Sequence, residues 1–279
     1  MLHRPCLVTS LVLGAAACAK PAREAAGPNV VTITATDYAF GVPDTIPAGL
    51  TTLRLINRGK ELHHASLIRL KDSKTIADFQ TGLQAAMQSH GPPPPWIAFT
   101  GGPNAVTPGD TGVATQTLEP GNYVVACWIP SAGGTLHIMK GMMHAMVVTA
   151  TPAPALAEPA VGFSIKLTDY DFALSAPLTA GTHTVRVENG GAQPHEVVIT
   201  ALPPGRSLQD FIAWETGGEK GPIPTGRWLG GVVALDAGGH AQFTATFAPG
   251  NYLLLCFWPD AKDGKPHLAH GMAKQISVS

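Results

Sequence analysis

Hydrophobic and polar residues alternate along short segments over most of the chain, which is the pattern of β-strands with one buried face. The first such segment, residues 31–36, is rich in β-branched residues, and a Pro-Ala-Gly turn is predicted at 47–49. Further strands are predicted at 51–56, 64–70, 112–118, 122–128 and 144–149. Residues 73–89 instead carry apolar residues at helical spacing and predict one helix.

The same pattern then begins again. Thr-Asp-Tyr-Ala-Phe at 36–40 returns as Thr-Asp-Tyr-Asp-Phe at 168–172, and Pro-Gly-Asn-Tyr occurs at both 120–123 and 249–252. A repeat of roughly 130 residues fits one domain per copy and is far too long for a solenoid unit. The second copy has a shorter predicted helix at 208–216. With about seven or eight short strands per copy, the fold class is all-β, as two tandem β-sandwiches.

The repeat also sets the domain boundaries. We expect the first domain at 30–150 and the second at 161–279. Residues 151–160 are rich in Pro and Ala and predict an extended linker between the domains.

The N-terminal residues 1–18 are typical of an export signal, because a charged start precedes an apolar run too short to cross a bilayer. Small residues before Cys18 indicate a bacterial lipoprotein that is lipidated at Cys18, with cleavage at a nearby Ala-x-Ala site as the alternative. Residues 19–29 are then a polar tether. The predicted location is the periplasm or the outer-membrane or cell surface, with membrane contact only through the lipid.

Composition narrows the classes of function. The chain has 279 residues, a net charge of −1 and 13% charged residues, so it lacks both a disordered composition and the basic surface that nucleic acids require. Two of the four cysteines fall in the predicted signal, which leaves one cysteine per domain. In an oxidising compartment such a thiol is buried and inert or held by a metal. A bridge between the domains is a further alternative, but it does not explain the repeated residues described next.

Each copy carries a histidine, a cysteine, a second histidine and a methionine in the same order: His63, Cys127, His137 and Met142, then His195, Cys256, His267 and Met272. Two imidazoles, a thiolate and a weak thioether suit a copper ion that exchanges one electron. His64 competes with its neighbour His63, but the repeat aligns His63 with His195, and adjacent strand residues point to opposite faces. The histidines that the copies do not share are interpreted as surface or hydrogen-bonded residues: His90, His144, His183, His240 and His270.

These motifs resemble those of the cupredoxins, the blue (type 1) copper proteins. An early motif, Asn-x-Gly-x-x-x-His, occurs at 57–63 and 189–195, and a late motif, Cys-x9/10-His-x4-Met, starts at Cys127 and Cys256. The resemblance covers nearly the whole mature chain. It implies Greek-key cupredoxin sandwiches, each with a short helical insertion, and up to two coppers, one per domain. It also implies that Asn57 and Asn189 orient the ligands named above through hydrogen bonds, without binding the metal themselves.

The resemblance further implies an electron carrier that meets redox partner proteins where the late histidine reaches the surface. Apolar residues at 129–130, 136 and 258–259 would form that surface. The chain lacks the His-x-His and His-Cys-His motifs of multicopper oxidases and the His-Cys motif of nitrite reductases, so we expect no enzymatic activity. His64 and His144 leave room for a site at a domain or subunit interface. Copper capture and delivery, or a metal-free structural module, are the alternatives.

Overall fold

The computed structural model describes residues 29–89, 91–152 and 156–279. The predicted signal with Cys18, nearly all of the predicted tether, His90 and part of the linker lie outside the described residues. Neither of the helices within the described ranges is long and apolar enough to cross a membrane.

The described residues of the first half form strands and one helix in the order β1 (Asn29–Thr36), β2 (Ala39–Gly41), β3 (Thr45–Asn57), β4 (Ser66–Leu70), α1 (Ile76–Ser89), β5 (Ile97–Phe99), β6 (Thr111–Leu118), β7 (Gly121–Ala126) and β8 (Met143–Pro152). Strands β1, β2, β3 and β6 form one layer, and β4, β5, β7 and β8 form the other. Apolar side chains such as Leu53, Leu55 and Leu67 are fully buried in the core of this half.

The turn predicted at 47–49 is wrong, because β3 continues through this segment. The start of β3, residues 45–48, pairs with β8, whereas residues 49–56 pair with β6 and residues 51–57 pair with β1. Gly49 has a φ of 120°, a conformation that glycine adopts freely. The Pro-Ala-Gly signal therefore marks a bend at which one strand passes between the two layers.

The second half repeats this order as β9 (Phe163–Thr168), β10 (Asp171–Leu174), β11 (Gly181–Asn189), β12 (His195–Ala201), α2 (Leu208–Thr216), β13 (Trp228–Leu235), β14 (His240–Phe247), β15 (Gly250–Leu255) and β16 (Ala273–Val278). The short helix predicted at 208–216 is confirmed, and it begins with a capping box between Ser207 and Asp210. Each half is a two-layer β-sandwich with one short helix, so the predicted fold class is confirmed.

The two halves meet through equivalent parts of their sandwiches. Strand β6 pairs with β14, with Ala114 opposite Phe243. The segment 100–106 lies antiparallel to β13 through isolated bridges of Thr100 to Leu235, Pro103 to Val232 and Val106 to Leu229. Pro103 and Val232 occupy equivalent positions in the two copies. In the other two bridges, Thr100 is equivalent to Leu229 and Val106 is equivalent to Leu235, so each bridge is the counterpart of the other. This contact is therefore built like the self-complementary interface of a two-fold dimer.

Replacing Leu55 with alanine tests the placement of the core. Leu55 is fully buried, so Leu55→Ala leaves a cavity and should lower the free energy of unfolding by about 2–5 kcal/mol. Val30 lies on the neighbouring strand β1 and is 60% exposed, so Val30→Ala should change the free energy of unfolding by less than about 0.5 kcal/mol. Denaturant unfolding of the metal-free protein measures both, and similar losses for the two variants would contradict this core.

Candidate metal centres

Three predicted ligands of the first copy meet in one buried group. His63 follows the loop after β3, Cys127 directly follows β7, and His137 opens a short 3₁₀ turn before β8. The Cys127 Sγ atom lies 3.4 Å from Nδ1 of His137 and 4.0 Å from Nδ1 of His63. All three side chains are fully buried.

The second copy assembles the same group from His195, Cys256 and His267. Nδ1 of His267 lies 2.9 Å from Nδ1 of His195 and 3.5 Å from Sγ of Cys256. In each group the three potential donor atoms lie within 4.8 Å of one another, so both groups can hold a metal ion. The structure thus brings His63, and not His64, to the first cysteine.

Each predicted methionine ligand is held close to its cysteine by backbone hydrogen bonds. The Cys127 N–H donates to the Met142 carbonyl at 3.2 Å, and Cys256 donates to Met272 at the same distance. Both methionines are fully buried in the apolar clusters that contain the cysteines. Their role as axial ligands stays a prediction.

Burial determines the protonation of the predicted ligand side chains in the metal-free protein. It raises the pKa of the Cys127 thiol to about 12 and also raises that of Cys256, because apolar surroundings disfavour a thiolate. Burial also lowers the pKa of His63, and lowers that of His267 to about 4, so these imidazoles stay neutral, which is their ligating form. Both described cysteines are free. A bound cation would favour the thiolate and reverse the effect of burial.

The repeated Thr-Asp-Tyr sequence, to which sequence reasoning gave no role, holds the early histidines. Nε2 of His63 lies 3.2 Å from Oδ1 of Asp37, and Nε2 of His195 lies 2.8 Å from Oδ1 of Asp169. An ionised carboxylate only accepts, so Nε2 carries the proton and Nδ1 is left free on the side of the cysteine. A hydrogen bond from the Lys60 N–H lowers the pKa of Asp37, and the bond from His195 lowers that of Asp169.

The glycine of the early motif makes room for this carboxylate–histidine pair. A Cβ atom at Gly59 would lie 2.4 Å from both Nε2 of His63 and Oδ1 of Asp37. A Cβ atom at Gly191 would lie 2.6 Å from Nε2 of His195 and 2.4 Å from Oδ1 of Asp169. Any larger residue would therefore push the ring and the carboxylate apart, which explains why the motif contains glycine in both copies.

The asparagine of the early motif braces the loop that carries the histidine. Nδ2 of Asn57 donates to the carbonyls of Glu61 at 2.8 Å and Val106 at 2.9 Å. Nδ2 of Asn189 makes the same pair of bonds, at 2.8 Å each, to the carbonyls of Gln193 and Leu235. The two asparagines thus fix the backbone around each centre.

The expectation that the late histidines reach the surface is wrong, because a tyrosine covers each ring. Tyr38 lies edge-on to His137 with ring centroids 5.1 Å apart, and Tyr170 lies 5.4 Å from His267 in the same way. Both histidines are fully buried. Tyr38 and Tyr170 have φ values of 69° and 71°, an uncommon conformation for such residues that is typical of functional sites.

The apolar residues predicted to surround the late histidines line a cleft between the two halves instead. This cleft has a volume of about 1510 Å³, and its walls include Ile129, Leu136 and Trp258. Trp258 packs edge-on against Phe99 of the first half at 4.5 Å. The loops between cysteine and late histidine of both halves therefore face one shared space.

The two centres differ in the group that binds the outer nitrogen of the late histidine. In the first half Nε2 of His137 lies 2.6 Å from Oε2 of Glu61. In the second half Gln193 takes the position of Glu61, and Nε2 of His267 is buried without a hydrogen-bond partner. The nearest carboxylate, Asp260, is 3.8 Å from that nitrogen and is already bonded to Tyr170 and Gln193.

The other histidines considered for a site lie elsewhere. His64 is buried at the interface between the halves, where its Nε2 accepts the N–H of Trp128 at 2.8 Å. Burial lowers the pKa of His64 to about 3, so it is neutral. His144, on β8, contacts Oδ1 of the exposed Asp44 at 2.9 Å.

Comparison with known proteins finds similarity to several solved structures of copper proteins. No protein-family model matches the chain, and no curated protein matches it. An auracyanin structure from Roseiflexus castenholzii is 26% identical, covering 42% of this chain and 94% of its own, with a TM-score of 0.29. A copper nitrite reductase from Nitrosomonas europaea is 15% identical, covering 91% of this chain and 94% of its own, with a TM-score of 0.27. A blue copper oxidase from the same organism is 13% identical, covering 90% and 86%, with a TM-score of 0.26.

These matching structures are all of the cupredoxin fold. This chain has two tandem β-sandwiches, and each contains a buried His–Cys–His group. Each group can hold one copper ion.

The comparisons correct one expectation. The protein was predicted not to be an enzyme, because contiguous His-x-His, His-Cys-His and His-Cys motifs are lacking. The structures that match about nine tenths of the chain are nevertheless those of a copper nitrite reductase and copper oxidases. The His–Cys–His groups of this chain are assembled in space from distant segments, so a search for contiguous motifs does not decide whether a protein is catalytic.

Removing the carboxylate behind an early histidine should weaken metal binding. We expect Asp37→Ala and Asp169→Ala to lower copper affinity at their own centres by about 10–100-fold, since the ring loses the partner that orients it. Competition with a copper chelator measures this affinity. Asp44→Ala, at an exposed carboxylate that contacts His144, is the matched control and should bind copper as the unchanged protein does. Unchanged affinity in Asp37→Ala and Asp169→Ala would contradict the assigned role.

Proposed function

We propose that the protein is a copper-binding electron-transfer protein with one type 1-like centre in each domain. The observation that carries this proposal is the repeated, buried set of two imidazoles and a thiol, in which a carboxylate holds each early ring with Nδ1 free. Thiolate and thioether are soft ligands that suit Cu(I), and imidazole suits both oxidation states. This donor set therefore fits copper, which would supply reversible one-electron exchange when bound.

The residues around the ligands favour electron exchange with little movement. The backbone bonds between each cysteine and methionine close the ligand loop, and the early histidine is fixed by its carboxylate. His137 and His267 are sealed from solvent by a tyrosine each. A site that is already organised around the ion and excludes water needs little rearrangement when the charge of the ion changes.

The proposal extends to partners and location. Redox partner proteins would approach the cleft that both cysteine–histidine loops line, since the apolar residues of these loops face it. Export to the periplasm or cell surface, with a lipid on Cys18, is supported by the apolar run before that residue. The proposal involves no nucleic acid, and it involves a membrane only through this lipid.

A visible absorption spectrum after addition of Cu(II), with a metal count per chain, tests the proposed function. We expect an intense thiolate-to-copper band and two coppers per chain, with Cys127→Ser and Cys256→Ser each removing one copper and part of the band. Bound copper without the band would favour capture and delivery of copper. A protein that binds no copper after reconstitution would be a structural module, and either result would refute electron transfer.

The glutamate beside the first centre should separate the reduction potentials of the two centres. The Glu61 carboxylate accepts a hydrogen bond from His137, which makes this ring a stronger donor and favours the oxidised ion. The ring of His267 lacks such a bond. We therefore expect the first centre to have the lower reduction potential.

Glu61→Gln should raise the potential of the first centre, and Gln193→Glu should lower that of the second. A tenfold change in the preference for the oxidised ion corresponds to about 59 mV for one electron. Spectroelectrochemical titration measures both potentials, with Cys127→Ser and Cys256→Ser to isolate each centre. Glu119→Gln, at an exposed glutamate of the same half, is the control and should leave both potentials unchanged. Equal potentials in the unmodified protein would show that Glu61 does not have this effect.

A further inference from the structure

The interface between the two halves contains a series of buried polar side chains that begins with a hydrogen bond beside one cysteine and ends with a hydrogen bond beside the other. We infer that His64, Asn104 and Glu196 form an internal relay for electrons between the two centres. This inference rests on the proposed function and extends it, because it assigns to the domain interface a role in exchange between the centres.

The first part of the series joins Cys127 to Asn104. The residue after Cys127 is Trp128, whose backbone N–H donates to Nε2 of His64 at 2.8 Å. Because Nε2 accepts this bond and the ring is neutral, the ring proton is on Nδ1. The His64 ring lies beside the Asn104 side chain, which brings its Nδ1–H close to the polar amide.

The second part of the series joins Asn104 to Cys256. Nδ2 of Asn104 donates to Oε2 of Glu196 at 3.0 Å, across the boundary between the halves. Oε1 of Glu196 accepts the backbone N–H of Phe257 at 3.1 Å, and Phe257 directly follows Cys256. Glu196 therefore does in the second half what His64 does in the first.

The repeat explains the placement of these residues. His64 directly follows the early ligand His63, and Glu196 directly follows His195, so the sequence puts a polar side chain behind each centre. Both side chains point away from the His–Cys–His group of their own half and toward the interface. The side chains of His64, Asn104 and Glu196 are only 6%, 2% and 7% exposed, so water does not compete strongly for these bonds.

Asn104 is the residue on which the series depends. Besides Glu196, its Nδ2 contacts the carbonyls of Val197 at 3.2 Å and Val232 at 3.1 Å, and its Oδ1 accepts the N–H of Ala105 at 2.8 Å. These bonds fix the amide in one orientation between the two halves. The polar side chains of the series are therefore held in a single arrangement.

The internal step involves only the two centres and needs no further oxidant or reductant. One electron leaves the reduced centre and reduces the oxidised one, and no bond is formed or broken. The step requires no proton transfer, because the hydrogen bonds of the series keep the same donors and acceptors before and after it. The lower potential expected for the first centre would direct the electron toward the second.

Pulsed reduction of the protein loaded with copper at both centres tests the relay. We expect a redistribution of the electron between the centres at a rate independent of protein concentration. Asn104→Leu, which replaces the amide with an apolar side chain of similar size, should slow this phase by about tenfold or more, equivalent to about 1.4 kcal/mol in the activation free energy. Glu196→Gln, a milder change that keeps an acceptor for Phe257, should slow it as well.

The matched control is Arg227→Ala. Arg227 bonds Asp110 across the same interface at 2.7 and 2.9 Å but lies outside the series, so its loss should leave the internal rate unchanged. A second readout uses the metal-free protein, in which the amide protons of Trp128 and Phe257 should exchange slowly, and faster in Asn104→Leu.

Three results would overturn the relay. A redistribution rate that rises with protein concentration would show that electrons pass between molecules, while the proposed function would stand. Equal slowing in Asn104→Leu and Arg227→Ala would show that docking of the halves matters and the series does not. Unchanged rates in both Asn104→Leu and Glu196→Gln would exclude this route. Absence of the thiolate-to-copper band in the unmodified protein would refute the proposed function itself.

Discussion

The hydrogen bond between an early histidine and a carboxylate determines the arrangement around each centre. In the first half this bond joins His63 to Asp37, and it leaves Nδ1 of the ring free beside the cysteine. It requires a two-residue turn between β1 and β2 that brings Asp37 close, and a glycine at position 59 that leaves room for the pair. The asparagine at 57 then fixes the loop between them. The turn, the glycine and the asparagine thus all support one hydrogen bond.

Burial has opposite consequences for the free protein and for a loaded one. In the free protein the apolar core keeps the Cys127 and Cys256 thiols protonated and the His63 and His267 rings neutral, which makes these groups less reactive. Once a cation is present, the same surroundings strengthen its interaction with the thiolate, because little water screens the charge. The tyrosines that cover His137 and His267 contribute to this exclusion of water.

Repetition made much of the fold and of the ligand set predictable from the sequence. The paired motifs indicated two sandwiches and the order of His, Cys, His and Met, because ligand spacing within one domain is local information. The repeat also contained Asp37 and Tyr38, but their role depends on how a turn folds over a histidine about 26 positions away, which spacing does not reveal. The bend in β3 was missed because Pro-Ala-Gly is usual in turns, and strand pairing on both sides overrode that preference. The burial of the late histidines was missed because it depends on the same turn, which places Tyr38 and Tyr170 over these rings.

The interface around Pro103 and Val232 has a further consequence. Two identical domains that met through this contact would present the same side chain on both sides, either two histidines or two glutamates facing one region of the interface. Two buried glutamates would repel each other there, and two neutral imidazoles that each accept a backbone N–H would both offer only a donor to the amide between them. Covalent linkage of the copies removes this restriction of symmetry. It allows a different polar side chain on each side of Asn104, with His64 in one half and Glu196 in the other.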